Sequence, residues 1–307
     1  MNIDQLGNFQ VRRLLSSHGL PIKIGPFWIN LQSSIPDIAR HISFFYAECE
    51  TENSSGFFDF HITLKKYGGI RRWIKPQVIF LLDEYAPFKP LSYQHAFAMF
   101  EWGLNWCIAT TAHHYLIIHA AVLEKDGKAI VMPGVPGSGK STLCAAMSLG
   151  GWRLLSDEMA LMDPAALDIT PVPRPVGLKN ESIQVISTFF PEAKIGPAAR
   201  DTAKGTVAHL QPTSHSIRQT DAKSRPHAII FPKYTPGSDL CLQRKSRGRA
   251  LLEIQENAFN THVLGKAGFD AVRSIVDQLP VYSLEYSELD QALPVMDAIL
   301  SGEEVVG

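Results

Sequence analysis

One stretch of the sequence restricts what the chain can fold into more than any other: Gly134, Val135, Pro136, Gly137, Ser138, Gly139, Lys140, Ser141 and Thr142 run consecutively. The spacing is G-x-x-x-x-G-K-[ST], and each residue type has a mechanical reason. Gly134, Gly137 and Gly139 let successive backbone N–H groups curl around an anion without interference from Cβ atoms. Lys140 is a point charge for the β- and γ-phosphates of a nucleotide, and the Ser141 hydroxyl is placed to ligate Mg²⁺. Such a loop works only between a strand that delivers it and a helix whose positive end faces the anion. The flanks supply both: an apolar strand is expected over 129–132, and a helix from Lys140 to residue 149 that Gly150 and Gly151 end. ATP with Mg²⁺ is the expected ligand, bound by residues 134–142.

A phosphate loop does not say what receives the phosphoryl group. The next acidic residues at a strand end are Asp157 and Glu158, after the strand expected at 153–156. One carboxylate there can hold Mg²⁺, directly or through water, and a second can accept the proton of an attacking hydroxyl. An acid that binds metal and has no role as base is the plainer alternative. His119 lies in an apolar strand expected over 115–123, upstream of the loop. If that strand neighbours the loop strand, its end reaches the same place. A histidine in an apolar strand is more often a hydrogen-bonded core residue, so spacing alone leaves both readings open. His113 and His114 have less to recommend them. Positive charge over a migrating phosphoryl group is also needed. The candidates are Arg174, fixed between Pro173 and Pro175, then Lys179 and Lys204. The basic cluster at 244–249 reads as a solvated face before a helix, although it could clamp a phosphate or an acidic peptide.

The rest of the chain reads as mixed α and β. Strand is expected over 21–31 with a break at Gly25-Pro26, helix over 35–46, a turn at 51–56, and strands at 58–64 and 78–82. A helix over 92–110 follows. A turn at 125–127 joins the strand at 115–123 to the one at 129–132. Residues 171–175 and 213–225 read as loops. A strand is expected at 228–231, helices at 249–257 and 268–278, a strand at 281–286 and a last helix from Leu289. Phe57, Phe58, Phe189, Phe190 and the pair Trp102/Trp106 read as core or a domain contact, not as a base-stacking platform.

Composition excludes several functions. Of 307 residues, 45% are hydrophobic and 19% charged, enough for a sizeable core. Twenty-nine Lys and Arg against 30 Asp and Glu give a net charge of -1, so no global excess favours nucleic acid or an anionic membrane. Residues 104–123 lack Asp, Glu, Lys and Arg, but Asn105 and three histidines make them costly in hydrocarbon. The N-terminus lacks the pattern of a signal peptide. Cys49, Cys107, Cys144 and Cys241 are scattered without a CxxC, which fits a reducing compartment; the expected location is the cytoplasm, without membrane or nucleic-acid partners.

Residues 119–158 taken together, with His119-Ala-Ala-Val, a hairpin, the glycine-rich loop, a short helix and Gly151-Trp-Arg-Leu-Leu-Ser-Asp-Glu158, resemble the catalytic core of HPr kinase/phosphorylase. They are more closely similar to the proteins labelled HPr kinase-related kinase A, as are residues 174–182 and 201–209. The resemblance implies an α/β fold. Residues 113–307 would form a P-loop kinase core of the HPr kinase and phosphoenolpyruvate carboxykinase type, and residues 1–112 an N-terminal α+β domain placed to recognise the acceptor. It implies transfer of the γ-phosphoryl group of ATP to a serine-like hydroxyl of a peptide, protein or small molecule. Asp157 falls on the acid that serves as base, Glu158 on the metal-side acid, and His119 on the histidine that supports the site. Ser141, Asp157 and Glu158 would seat Mg²⁺, with Lys140 and Arg174 acting on the phosphoryl group. The family as a whole assembles into homo-oligomers. The sequence departs from it in having glutamate at the second acid and no counterpart of the HPr kinase N-terminal domain. Two other functions stay in view: a nucleotide hydrolase that positions water, and an ATP-binding sensor or scaffold without chemistry.

Overall fold

A glycine-dependent turn organises the start of the N-terminal region. Helix α1 (Asn8–Ser16) precedes strands β1 (Leu20–Ile24) and β2 (Phe27–Ser33), which form a hairpin at the expected break. Gly25 sits there at φ +60°, and a Cβ on it would lie 2.6 Å from the Pro171 carbonyl oxygen. Helix α2 (Pro36–Phe45) then crosses to β3 (Phe60–Lys66), parallel to β2, as a helical crossover allows. β4 (Gln77–Leu82) and the short β5 (Leu91–Ser92) complete a five-stranded sheet in the order β1-β2-β3-β4-β5. Helix α3 (Ala96–Thr111), apolar on most sides, packs on it so closely that a Cβ at Gly103 would meet the Phe80 ring. The computed structural model describes residues 1–68 and 74–302; residues 303–307, included in the expected second domain, lie outside that description.

The apolar run after α3 is two strands, not one. β6 (Leu116–Ile118) and β7 (Ala120–Lys125) belong to different sheets. The break falls at His119, whose backbone N–H donates to the Asn257 carbonyl at 2.7 Å instead of to a neighbouring strand. β7 pairs antiparallel with β8 (Lys128–Pro133) across a turn with Asp126 and Gly127 both at positive φ, the geometry that suits a two-residue hairpin. The glycine-rich loop leaves β8 and enters α4 (Lys140–Leu149). β9 (Arg153–Ser156), β10 (Ala160–Met162) and β11 (Ile169–Thr170) follow.

Residues 171–175 are irregular, as expected, yet buried. β12 (Val176–Lys179), helix α5 (Glu181–Phe189), β13 (Ala199–Thr202) and β14 (Gly205–Leu210) come next, the three strands forming a small antiparallel sheet. A short helix, α6 (Ser214–Arg218), occupies part of the segment expected as loop, with the Thr213 hydroxyl capping it. The chain closes with β15 (Arg225–Tyr234), β16 (Cys241–Arg244), α7 (Arg247–Glu256), α8 (Thr261–Leu264), α9 (Lys266–Gln278), β17 (Val281–Tyr286) and α10 (Leu289–Ser301).

The largest sheet has the order β16-β17-β15-β8-β7-β9, with β15 parallel to both neighbours and the other pairs antiparallel. That pattern brings one edge of the sheet together. The carboxyl ends of β8, β15, β17 and β9 lie there, beside the amino end of β7. The glycine-rich loop, Tyr234, Tyr286, Asp157 and His119 therefore share one edge, the side where open α/β sheets bind ligands. One apolar cluster lies on each face, including Leu143 and Met296 on one and Ile254 and Val272 on the other; a third fills the N-terminal region. The architecture is mixed α/β with several sheets.

Candidate functional site

The glycine-rich loop is held in shape by the ends of β15 and β17, the next two strands of the sheet on one side of β8. Gly137 and Gly139 have φ +91° and +87°, a region costly for any residue with a Cβ. At Gly139 space forbids one as well: a Cβ would lie 2.6 Å from the Tyr286 hydroxyl oxygen and 2.7 Å from Tyr234 Cβ. The Tyr286 hydroxyl donates to the Gly139 carbonyl at 3.1 Å, and the Tyr234 N–H donates to the Ser138 carbonyl at 2.9 Å. The loop delivers Lys140 to the first turn of α4, where the side chain is only 5% exposed. Its Nζ has no hydrogen-bond partner among the described residues, and neither does the Ser138 hydroxyl. Burial lowers the lysine pKa, while Asp157 and Glu158 pull it back up.

The two acids follow β9 in a tight turn, where the Met159 N–H donates to the Ser156 hydroxyl at 3.0 Å. Asp157 is 8% exposed. Its Oδ2 accepts from the Gly177 N–H at 3.2 Å, and its Oδ1 has no partner among the described residues. Burial raises its pKa and the neighbouring Glu158 raises it further, partly offset by Lys140, the Gly177 N–H and the Ser141 hydroxyl. Glu158 behaves in the opposite way. Burial would raise it, but the nearby His119 ring and the charges of Lys140 and Lys179 bring it down to about 2. His119 Nε2 lies 3.7 Å from Glu158 Oε2. Two adjacent carboxyls whose surroundings push them apart suit different tasks.

Arg174 reaches the same region with its charge already engaged. Its Nη2 donates to Glu101 Oε2 at 2.9 Å and to the Glu101 carbonyl at 3.0 Å, and its Nη1 donates to Asn105 Oδ1 at 2.8 Å. Tyr46 donates to the other Glu101 oxygen at 2.6 Å. Lys179 and Lys204 differ: both line the cavities at this edge, and neither side chain has a salt-bridge partner among the described residues. The basic cluster at 244–249 stands apart. Lys245 is bound to Glu253 and lies over the Phe231 ring at 4.5 Å, and Arg249 also pairs with Glu253.

A cavity of about 1290 Å³ surrounds the loop, and a second of about 400 Å³ lies beside Asp157. Trp102, Trp106 and Phe189, expected in the core or at a domain contact, line the larger one instead; Trp102 is 47% exposed. His113 and His114 line neither cavity. Reasoning from sequence did not find Glu101, Asn105, Gly177, His209, Tyr234 or Tyr286. Each acts through a partner distant along the chain, and no local motif marks them. The pattern of charges is the signal that was there: an isolated glutamate in apolar α3 needs a buried cation.

The atoms available fit a nucleotide phosphate and a magnesium ion that arrives with it. Loop N–H groups and the unpartnered Lys140 ammonium suit an anion; the unpartnered Asp157 oxygen, Glu158 and Ser141 offer oxygen ligands. Among the described residues no cluster of three or more His, Cys, Asp or Glu could hold a metal. Mg²⁺ characteristically takes one or two carboxylates and completes its shell with substrate phosphates and water.

No protein-family model matches the chain, and no curated protein matches it either. Fold and site together define a mixed α/β protein with several sheets, a glycine-rich loop and an acidic pair at one sheet edge. Among its described residues no helix is long and apolar enough to cross a membrane.

Proposed function

We propose that the chain is an ATP- and Mg²⁺-dependent kinase of the HPr kinase-related type, with a P-loop core and a hydroxyl group as acceptor. One observation carries the reading: a buried lysine ammonium and a buried aspartate oxygen, both without hydrogen-bond partners among the described residues, beyond the ends of two strands that flank β7 on one sheet edge. Unpaired buried charges cost several kcal/mol each, an arrangement that makes sense where an anion and a cation are to be bound.

The loop N–H groups and Lys140 hold the β- and γ-phosphates in line for attack. Asp157, its pKa raised, takes the proton of the incoming hydroxyl as the oxygen–phosphorus bond forms and the bond to the β–γ bridging oxygen breaks. Ser141, Asp157 and Glu158 are the residues that would hold Mg²⁺, which when bound neutralises charge on the phosphate oxygens. His119, beside Glu158, favours its ionised form. Arg174, its charge matched by Glu101, fixes the wall of the site beside Asp157. Four free cysteines, three of them buried, agree with a cytoplasmic location.

Phosphorus NMR of ATP and Mg²⁺ with the protein and a fractionated cell extract tests the reading, with Asp157→Asn beside each sample. A new phosphomonoester signal that requires Asp157 is the expected result. Inorganic phosphate alone would make the protein a hydrolase, and bound ATP without turnover would make it a sensor or scaffold; either would overturn the kinase.

A further inference from the structure

The two cavities at the sheet edge divide the site. The larger surrounds residues 135–142, as a nucleotide triphosphate requires. The smaller contains Asp157, Val172 and Arg174, which the larger does not, and the two meet along a shared wall that includes Ser141, Glu158 and Lys179, with Trp102 and Lys204 at its rim. On the kinase reading, on which this inference rests, the group that loses its proton to Asp157 must come through the smaller chamber.

Its dimensions and lining describe that group. A volume of about 400 Å³ falls at the lower end of small-molecule sites, which run from about 300 to 1,000 Å³. Asp157 is nearly buried, so a hydroxyl has to enter the chamber to reach it. A folded partner would insert one side chain and leave the rest of the chamber unfilled. The wall is largely apolar, with Trp102 from α3, Val172 from the buried segment and Val207 from β14. The charge that remains is positive. Glu101 is matched by Arg174, and Asp157 and Glu158 are faced by Lys140 and Lys179. Lys204, at the tip between β13 and β14, has no carboxylate partner among the described residues, and the buried Arg174 keeps an unpartnered Nε. The β13–β14 hairpin is tied to the N-terminal region through His95 Nε2 and the Arg200 carbonyl, 2.8 Å apart.

We propose that this chamber is the acceptor site and that the acceptor is a small organic anion bearing a hydroxyl group, its carbon skeleton against Trp102 and Val172 and its anionic group held by Lys204. The hydroxyl oxygen bonds to the γ-phosphorus, and the bond from that phosphorus to the bridging oxygen breaks, its electron pair leaving with ADP. The hydroxyl proton passes to Asp157. The products are ADP, a phosphomonoester of the anion and one proton.

The test splits an extract of the cells that carry the gene by ultrafiltration at about 1 kDa, well above the mass of a ligand that fills such a chamber. Each fraction is given to the full chain with Mg²⁺ and ATP labelled in the γ-phosphate. The expected result is an acid-stable labelled phosphomonoester in the filtrate only, lost when the filtrate first passes over an anion-exchange resin. Label confined to the retained fraction would show a macromolecular acceptor, and an acceptor that passes the resin would show a neutral one; each overturns the proposal and leaves the kinase standing. Label in neither fraction counts against the kinase reading itself and removes the proposal with it. Lys204→Glu, on an exposed turn, is expected to raise the KM for the filtrate acceptor by about tenfold or more, as loss of a charge-assisted contact does. Its ATP affinity stays that of the native chain, and Lys204→Arg restores the KM. A fall in ATP affinity instead would put Lys204 on the nucleotide and overturn its assignment.

Discussion

Asp157 combines two properties that rarely coexist in a resting protein: it is almost fully buried, and one of its oxygens has no partner among the described residues. Burial and Glu158 raise its pKa, which makes its carboxylate a stronger base than an exposed one. Asp157→Asn keeps the shape and the Gly177 contact while removing the base. Transfer should fall by about 10²- to 10⁴-fold, the usual contribution of a positioned base, with ATP still bound in an equilibrium titration. Gly139 tests the loop in the opposite sense. A methyl group there meets Tyr286 and Tyr234 and also strains a backbone at φ +87°. Gly139→Ala should therefore displace the loop and weaken ATP binding by about tenfold or more, since the strained φ alone costs on the order of 1–2 kcal/mol. Isothermal titration with ATP and Mg²⁺ measures it.

Between elements, the joint of α2, α3 and the buried segment before β12 depends on one ionic cluster. Burial pushes the Glu101 carboxyl up, and Arg174 and Tyr46 pull it back down. Removing one member leaves the other charge buried without its partner, which costs about 3–5 kcal/mol. Glu101→Ala should lower stability by about that amount in urea unfolding, and adding Arg174→Met should recover part of the loss. This cluster also shows where the sequence stopped being legible. The bounds of α4, β9 and β17 could be read because loop chemistry, terminal glycines and apolar runs are local signals. Arg174 was read as a charge free to act on phosphate because its partner, Glu101, belongs to a helix far upstream. The split at His119 depends on an acceptor at Asn257, and no local pattern announces it. The β12-β14-β13 sheet was not read at all. Its strands are short, and Gly177, Asn180 and Gly205 interrupt any alternation, so only pairing across distant residues defines it. The glycine-rich loop and the acidic pair were legible; the walls that enclose them were not.

Across the whole molecule, the N-terminal sheet and the sheet that carries the glycine-rich loop share material. The apolar cluster under α3 includes Ile117, Met159, Leu161 and Val172, which come from beyond the expected boundary at residue 113. His209 of β14 sits in the same seam, edge-on to Phe97 with ring centroids 5.3 Å apart. Burial first, then the charges of Arg174, His41 and Lys179, lower its pKa from 6.5 to about 4. Between those two values the unfolded chain binds the proton and the folded chain does not, so stability falls as pH drops from 6.5 towards 4. His209→Gln should flatten that slope, by at most about 1.4 kcal/mol per pH unit for one proton, in urea titrations at several pH values. The shared cluster makes a stronger demand. If the seam were an ordinary contact between independent domains, residues 113–302 would fold alone and the full chain would melt in two steps. With Ile117, Met159, Leu161 and Val172 completing the N-terminal core, cutting at the boundary strips their cover and exposes them together. The shortened chain should bind a hydrophobic dye and lack a cooperative transition, while the full chain should show one calorimetric transition with matching van't Hoff and calorimetric enthalpies. Two resolved transitions would mean that the sheet edge carrying Lys140 and Asp157 is stable without α3, and that the N-terminal region can detach from the chamber it walls.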